Sequence, residues 1–283
     1  MIYVSSSTVK NSTIKASVKQ IAEFGFNNIE LSGGTDYYSD YLIDLKHLKE
    51  EFNLNFLLHN YYPAPKTHFV CNLASLDSKV FNQTVDHYKR ALDVSHILDA
   101  KKFGLHAGFL INPKLSELGK AITKQDFFQK QAAIDKFCEG LRIIQEFNPN
   151  VEIFVENNVF SERNMKNFEA NPFLFTDFES YKEIHDLLPF NVLLDFAHLQ
   201  VSCKTLNLSF SEQLDYLFPL AKYIHLSDND GYSDSNKPIS ENSIILKELE
   251  SRGIHSETIT LEIYDLLEKV HESSNLISPL TSK

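Results

Sequence analysis

Seven short apolar runs along this chain each stop on a carboxylate or an imidazole. They are Asn28-Ile29-Glu30, Phe56-Leu57-Leu58-His59, Phe103-Gly104-Leu105-His106, Ile153-Phe154-Val155-Glu156, Val192-Leu193-Leu194-Asp195, Tyr223-Ile224-His225 and Ile259-Thr260-Leu261-Glu262. The terminal residues are 29 positions apart at the closest, Glu30 to His59, and 50 at the widest, His106 to Glu156. Each interval has room for one strand, one helix and two loops. A strand buried on both faces reads as a continuous apolar run, and a polar group at its C-terminal end faces the mouth of a parallel barrel. With a first strand at about Ile2 to Ser6 the count reaches eight. The pattern predicts an α/β fold, a single (β/α)8 TIM barrel over residues 1–273, followed by a polar, frayed tail over 274–283.

Between the strands the apolar period changes to that of a helix. Ile14, Val18 and Ile21 mark a helix over about Ser12 to Phe24, and Tyr41 to Phe52 a second. Asp77 or Ser78 is a natural N-cap for a long helix to about Leu98. Thr123 is expected to cap a helix over Lys124 to Phe147, ended by Asn148-Pro149-Asn150. Residues 157–176, polar and carrying Pro172, read as a long loop at the barrel mouth. Further helices are expected at Asp177 to Leu188, Ser211 to Ala221, Asn242 to Arg252 and from about Tyr264. No composition break marks a second domain.

Composition narrows the function classes. The chain has 283 residues and a formal net charge of −11, with four arginines, Arg90, Arg142, Arg163 and Arg252. An acidic, arginine-poor chain is a poor match for extensive phosphate-backbone contacts, so nucleic acid is not favoured as a partner. Cys71, Cys138 and Cys203 are far apart and form no CxxC pair, which speaks against a disulfide frame and a thiolate zinc site. Met1-Ile2-Tyr3-Val4 enters a strand at once, and no apolar stretch is long enough for a membrane span. The expectation is a soluble, cytoplasmic protein. Oligomeric state leaves no readable signal on the helical exteriors.

The chemistry concentrates at the strand ends. Glu156, Asp195, His225 and Glu262 come from the fifth to eighth strands and offer three oxygen ligands and one nitrogen, a set suited to Mn²⁺ or Zn²⁺. Without a cation, three carboxylates on one rim repel each other. The alternative is that each binds a neighbouring backbone amide. His59 and His106 stand beside Glu156 and can share it as ligands of a second metal, giving one or two ions per chain. In Asp195-Phe196-Ala197-His198, the imidazole can turn back over the rim into the pocket, or is a loop histidine bonded to a backbone carbonyl. Asn60, Asn157 and Asn158 follow strand-end groups and suit orienting those groups, contacting sugar hydroxyls, or left-handed turns. Lys66 and Arg163 lie on mouth loops, where a phosphate or carboxylate is one partner and water the other. Glu30 either faces the pocket or pairs with a lysine. His68, His87, His96, His185 and His255 read as surface residues.

These residues resemble the xylose-isomerase-like TIM barrels, a superfamily that includes sugar phosphate isomerases, ketose 3-epimerases and endonuclease IV-type nucleases of abasic sites. The segments that carry the resemblance are His59-Asn60-Tyr61-Tyr62-Pro63, Phe69-Val70-Cys71-Asn72-Leu73-Ala74-Ser75, Leu105-His106-Ala107-Gly108, Val155-Glu156-Asn157, Leu194-Asp195-Phe196-Ala197-His198, and His225-Leu226-Ser227-Asp228-Asn229-Asp230-Gly231, with Glu262. In the epimerase-like branch the resemblance implies metal binding by Glu156, Asp195, His225 and Glu262. It also implies proton exchange by Glu156 and Glu262 through an enediolate, with His198 on a substrate oxygen. In the nuclease-like branch it implies three zincs, the first on His59, His106 and Glu156 and the second on the four-residue set. The third takes His198, Asp234 and a histidine two positions on, where this chain has Asn236. That departure leaves His198 and Asp234 free for substrate hydroxyls. The leading expectation is a divalent-metal-dependent isomerase or epimerase of a small sugar or sugar phosphate. A multi-zinc phosphoesterase or abasic-site nuclease follows, and a non-catalytic sugar-binding barrel comes last.

Overall fold

The computed structural model describes residues 1–256 and 258–282. Eight strands follow the apolar runs: β1 Ile2–Ser5, β2 Asn28–Leu31, β3 Asn55–His59, β4 Lys102–His106, β5 Glu152–Glu156, β6 Asn191–Asp195, β7 Ala221–Leu226 and β8 Thr258–Leu261. All neighbouring pairs are parallel, and β1 pairs with β8 to close the barrel. Ten helices surround it among the described residues: α1 Ile14–Glu23, α2 Tyr41–Phe52, α3 Ser78–Ile97, α4 Lys130–Phe147, α5 Glu162–Phe168, α6 Phe178–His185, α7 Phe196–Leu206, α8 Phe210–Leu217, α9 Ile244–Arg252 and α10 Leu267–Ile277. No helix among the described residues is long and apolar enough to cross a membrane.

Successive strand residues alternate between the barrel interior and the helical layer. Tyr3, Leu57, Phe154, Leu193 and Tyr223 pack together as one apolar layer inside the barrel. Two residues further along those strands come Ser5, His59, Glu156, Asp195 and His225, which therefore face inward one layer higher. Outward residues such as Ile29, Leu58, Phe103, Val155, Leu194 and Ile224 join the main core under the helices. The apolar layer thus forms a floor, and the polar layer stands on it at the C-terminal ends of the strands.

The helix caps follow local chemistry. Thr13 caps α1 by accepting from the Ala16 amide at 3.3 Å, Asp77 caps α3 through the Lys79 amide at 2.8 Å, and Asp177 caps α6 through the Ser180 amide at 3.0 Å. Such caps contribute on the order of 1 kcal/mol each.

Four expectations are corrected. Helix α4 starts at Lys130, not Lys124, because Phe127 and Phe128 are drawn onto the cores and the Phe128 amide donates to Leu110 O at 2.7 Å. The loop after Glu156 contains α5, whose Phe168 is buried in an apolar cluster. The chain beyond Ser273 does not fray: α10 runs to Ile277 and a 3-10 turn to Ser282, with Ile277 and Leu280 buried. Only Lys283 of that tail lies outside the described residues. His87 is buried in α3, where its Nε2 meets Asn60 O at 3.1 Å.

Candidate metal centre

Strand register builds the centre. His106 lies level with Glu156 across β4 and β5, and Asp195 level with His225 across β6 and β7. Glu262 follows β8 directly and keeps the ladder, its amide donating to Leu226 O at 3.1 Å. Two groups of potential ligand atoms result, each within 4.8 Å of one another: His59, His106 and Glu156, and Glu156, Asp195, His225 and Glu262. Glu156 belongs to both. Its Oε2 lies 2.7 Å from His59 Nε2 and 3.1 Å from His106 Nδ1, and its Oε1 lies 3.4 Å from His225 Nδ1. His225 Nδ1 also stands 3.2 Å from Glu262 Oε2.

The close approach of His59 depends on Gly104. A β-carbon there would stand 2.7 Å from His59 Cδ2 and 2.7 Å from Leu193 Cδ1, inside contact distance. The bare backbone of β4 makes room for the imidazole inside the barrel.

Hydrogen bonds outside the cluster aim its ligands. Glu30, fully buried, accepts from His225 Nε2 at 2.9 Å and from Thr260 Oγ1 at 3.1 Å. With Nε2 donating to Glu30, His225 turns Nδ1 toward Glu156 and Glu262. Asp195 is the N-cap of α7 and accepts from the His198 amide through Oδ1 at 2.7 Å. Tyr264 donates to Glu262 Oε1 at 2.7 Å. His198 Nδ1 lies 2.9 Å from Asn157 O and its Nε2 3.3 Å from Asp234 Oδ2.

This donor set fits a divalent cation. Glu156 Oε1, His106 Nδ1 and His225 Nδ1 are buried without a hydrogen bond, and all three point into the cluster. Buried polar atoms left bare are costly unless a ligand completes them. Protonation equilibria show the same strain. Burial pushes the Asp195 carboxyl up to about 7, with Glu156 and Asp234 adding to the rise. Burial holds His106 down at about 4. Burial works against ionisation of Glu262, yet the His225 imidazole beside it brings it down to about 2. His198 and His225 resist the effect of burial and are held well above the usual histidine range by the carboxylates around them. A cation replaces these protons and relieves the crowding of carboxylates.

Above the centre lies a cavity of about 920 Å³, lined by His59, His106, His198, Asp234 and Glu262 among others. Glu156, Asp195 and His225 lie below its wall, buried. Asn60 and Asn157, expected on substrate, are turned away from it. Asn60, with φ 31°, accepts from Tyr88 Oη at 2.6 Å. Asn157 uses its whole amide on β6, accepting from Asp195 N at 2.7 Å and donating to Asp195 O at 3.0 Å. Asn158 reaches the wall but its amide is bonded to Gly108 O and Leu174 O. Lys66 stands over the Tyr37 ring at 5.4 Å and does not line the cavity, whereas Arg163 does. Glu30 pairs with a histidine rather than a lysine. The roles of Glu30, Gly104 and Tyr264 were not legible beforehand. For Glu30 the strand-end position was a signal, whereas Tyr264 gave none.

Residues 18–277 match the family model described as xylose isomerase-like TIM barrel. The chain belongs to that family. No curated protein matches it by sequence. Among solved structures it is similar to a D-tagatose 3-epimerase-like protein, with 19% identity and a TM-score of 0.72 over 99% of this chain and 97% of the other. It is also similar to the IolI protein with a bound zinc atom, at 15% identity and a TM-score of 0.68 over 100% and 99%. Endonuclease IV from Thermus thermophilus aligns at 13% identity and a TM-score of 0.61 over 99% and 98%. At these identities the likeness is one of fold, and family membership spans several chemistries.

Proposed function

We propose that the chain is a divalent-metal-dependent isomerase or epimerase of a small carbohydrate. One observation carries the reading. Of the three carboxylates in the four-residue cluster, Glu262 alone opens onto the cavity, placing a base where a bound substrate meets the metal ligands. A bound divalent cation supplies the positive charge that polarises a carbonyl and stabilises charge developing beside it. Glu262 takes or returns the proton of the carbon next to that carbonyl. Tyr264, donating to Oε1, fixes the carboxylate's orientation. His198 and Asp234 face the same cavity and hold substrate hydroxyls. Glu156 stands beneath with Oε1 free of hydrogen bonds and is the second proton carrier in this reading. The sugar epimerases among the structural relatives support it, as does the net charge of −11.

A second reading, a two-metal phosphoesterase, is favoured by His59 and His106, which give Glu156 a second group of partners that proton transfer does not require. Incubation of metal-reconstituted protein with ketoses, aldoses and their phosphates in deuterated water separates the two. Deuterium entering at a carbon is the expected result, and Glu262→Gln should slow it about 10²–10⁴-fold. Efficient cleavage of a duplex containing an abasic site, with no deuterium incorporation into any sugar, would establish the phosphoesterase instead.

A further inference from the structure

The geometry points to a keto sugar with an apolar substituent, in chemical class an aryl or alkyl glycoside whose ring carries the carbonyl, as the substrate rather than a free monosaccharide. This rests on the carbohydrate reading above. The two sides of the cavity differ in chemistry. Toward β1 and β2 it is lined by Ser6, Ser7, Ser32 and Thr35, with the peptide groups of Gly33 and Gly34. Toward β4 and β5 its apolar lining is Phe109, Leu115, Leu118, Ile122 and Phe173, with Lys120, Asn158, Ser161, Arg163 and Asn164 beside them. The metal ligands lie between the two at the bottom.

The apolar side is a built wall. An antiparallel bridge joins Phe109 to Phe173, the Leu110 amide donates to Pro172 O at 2.8 Å, and the Leu174 amide to Gly108 O at 3.0 Å. The rings of Phe109 and Phe173 meet edge to face at 5.6 Å. Ile122 is pinned through its amide to Asn164 Oδ1 at 3.0 Å, and Asn167 Nδ2 donates to Ile122 O at 3.1 Å. Phe109, Ile122 and Phe173 belong to an apolar cluster separate from the main core, with Leu118 packed against it. That cluster explains why the loop holds its shape. It does not explain Leu115, 47% exposed on the cavity side. Apolar surface fixed inside a cavity favours a ligand that covers it.

Size agrees. At about 920 Å³ the cavity is near the top of the range of about 300–1,000 Å³ that holds drug-sized ligands. A single hexose at the metal ligands, hydroxylated around its ring, leaves the wall in water. An aryl or alkyl group attached to it removes that surface from water. Lys10, Lys120 and Arg163 also border the cavity and make an anionic substituent the competing outcome.

The test is isothermal titration of metal-reconstituted protein with matched phenyl and methyl glycosides of glucose, galactose and mannose, unreactive binding probes that lack the ring carbonyl, and with the hexose 6-phosphates. At least one phenyl glycoside should bind roughly 10- to 100-fold more tightly than its methyl partner, with a more negative heat-capacity change. Leu115→Asp should bring that ratio toward one. Equal affinities within every pair, no binding of any glycoside, or tighter binding of a hexose 6-phosphate would overturn the inference. Failure of the epimerase reading is distinguishable: the phenyl preference would persist while no sugar took up deuterium.

Discussion

Glu30 and His225 form a buried pair in which His225 Nε2 donates to the Glu30 carboxylate at 2.9 Å, leaving Nδ1 to the candidate metal cluster. The two residues are 195 positions apart in sequence and come from β2 and β7. A carboxylate behind a ligating imidazole fixes its tautomer and raises its basicity, so the free nitrogen faces the metal as a lone pair. Glu30→Ala should lower metal affinity about 10- to 100-fold, as in other sites of this design, while Glu30→Gln, which keeps an acceptor, should lose less. Titration calorimetry with Zn²⁺ or Mn²⁺ measures both. Equal affinity in wild type and Glu30→Ala would remove Glu30 from the metal centre.

Gly104 offers a steric test of the first metal group. Its missing β-carbon is what lets His59 and Leu193 share the barrel interior, at 2.7 Å from where that carbon would be. Gly104→Ala forces one of them aside, and overpacking of this kind costs about 1–3 kcal/mol. Because His59 is itself one of the candidate ligands, the variant should also lose metal held by His59, His106 and Glu156. Denaturant midpoint and metal content, measured together, check it. A variant with unchanged stability and full metal content would show that His59 does not depend on this opening.

The barrel and its rim were readable because two local rules coincide. A strand buried on both faces is an unbroken apolar run, and residues two apart share a face, so Phe154 below and Glu156 above had to point the same way. What failed was decided by distant neighbours. Asn60 and Asn157 carry the same amide that a sugar site would use, and only Tyr88 and the Asp195 backbone, far along the chain, show where those amides go. The start of α4 was misplaced because Phe127 and Phe128 fit a helical period but are claimed by the packing around Leu110. His87 is different. It lies between Thr84, Tyr88 and Ala91 on the buried face of α3, so the helical period carries the signal of its burial.

Burial gives His87 a pH signature. Desolvation brings its pKa down to about 4, against an ordinary value of 6.5, and the positive charge of Arg90 adds to the effect while the bond to Asn60 O opposes it. The folded state therefore favours the neutral ring. Its contribution is fully present above about pH 6.5 and is lost as pH falls toward 4, where the unfolded chain binds a proton that the folded chain refuses. The loss is on the order of 3 kcal/mol. His87→Gln keeps a donor for Asn60 O and cannot titrate. Urea denaturation from pH 7 to pH 4 should show a smaller acid-induced drop in stability for the variant. Parallel pH profiles would place His87 outside the acid response.

The last prediction concerns metal count and turns on Asn236. In the nuclease-like pattern a histidine at this position joins His198 and Asp234 around a third zinc. Here Asn236 has φ 44°, donates from Nδ2 to Glu262 O at 3.1 Å, and accepts the Tyr264 amide on its backbone oxygen at 2.8 Å. The side chain ties the loop to the end of β8, where it supports Glu262 and Tyr264, and its amide nitrogen has no lone pair to offer a cation. His198 and Asp234 remain as a pair, 3.3 Å apart, with His198 held in its charged form by Asp195 and Asp234. Two protein ligands are fewer than a tight zinc site needs. The protein should hold no more than two metal ions per chain after dialysis against a weak chelator. Elemental analysis gives the number directly. Three tightly held zincs would mean that another group completes the site of His198 and Asp234, and would move the balance from the isomerase to the hydrolase.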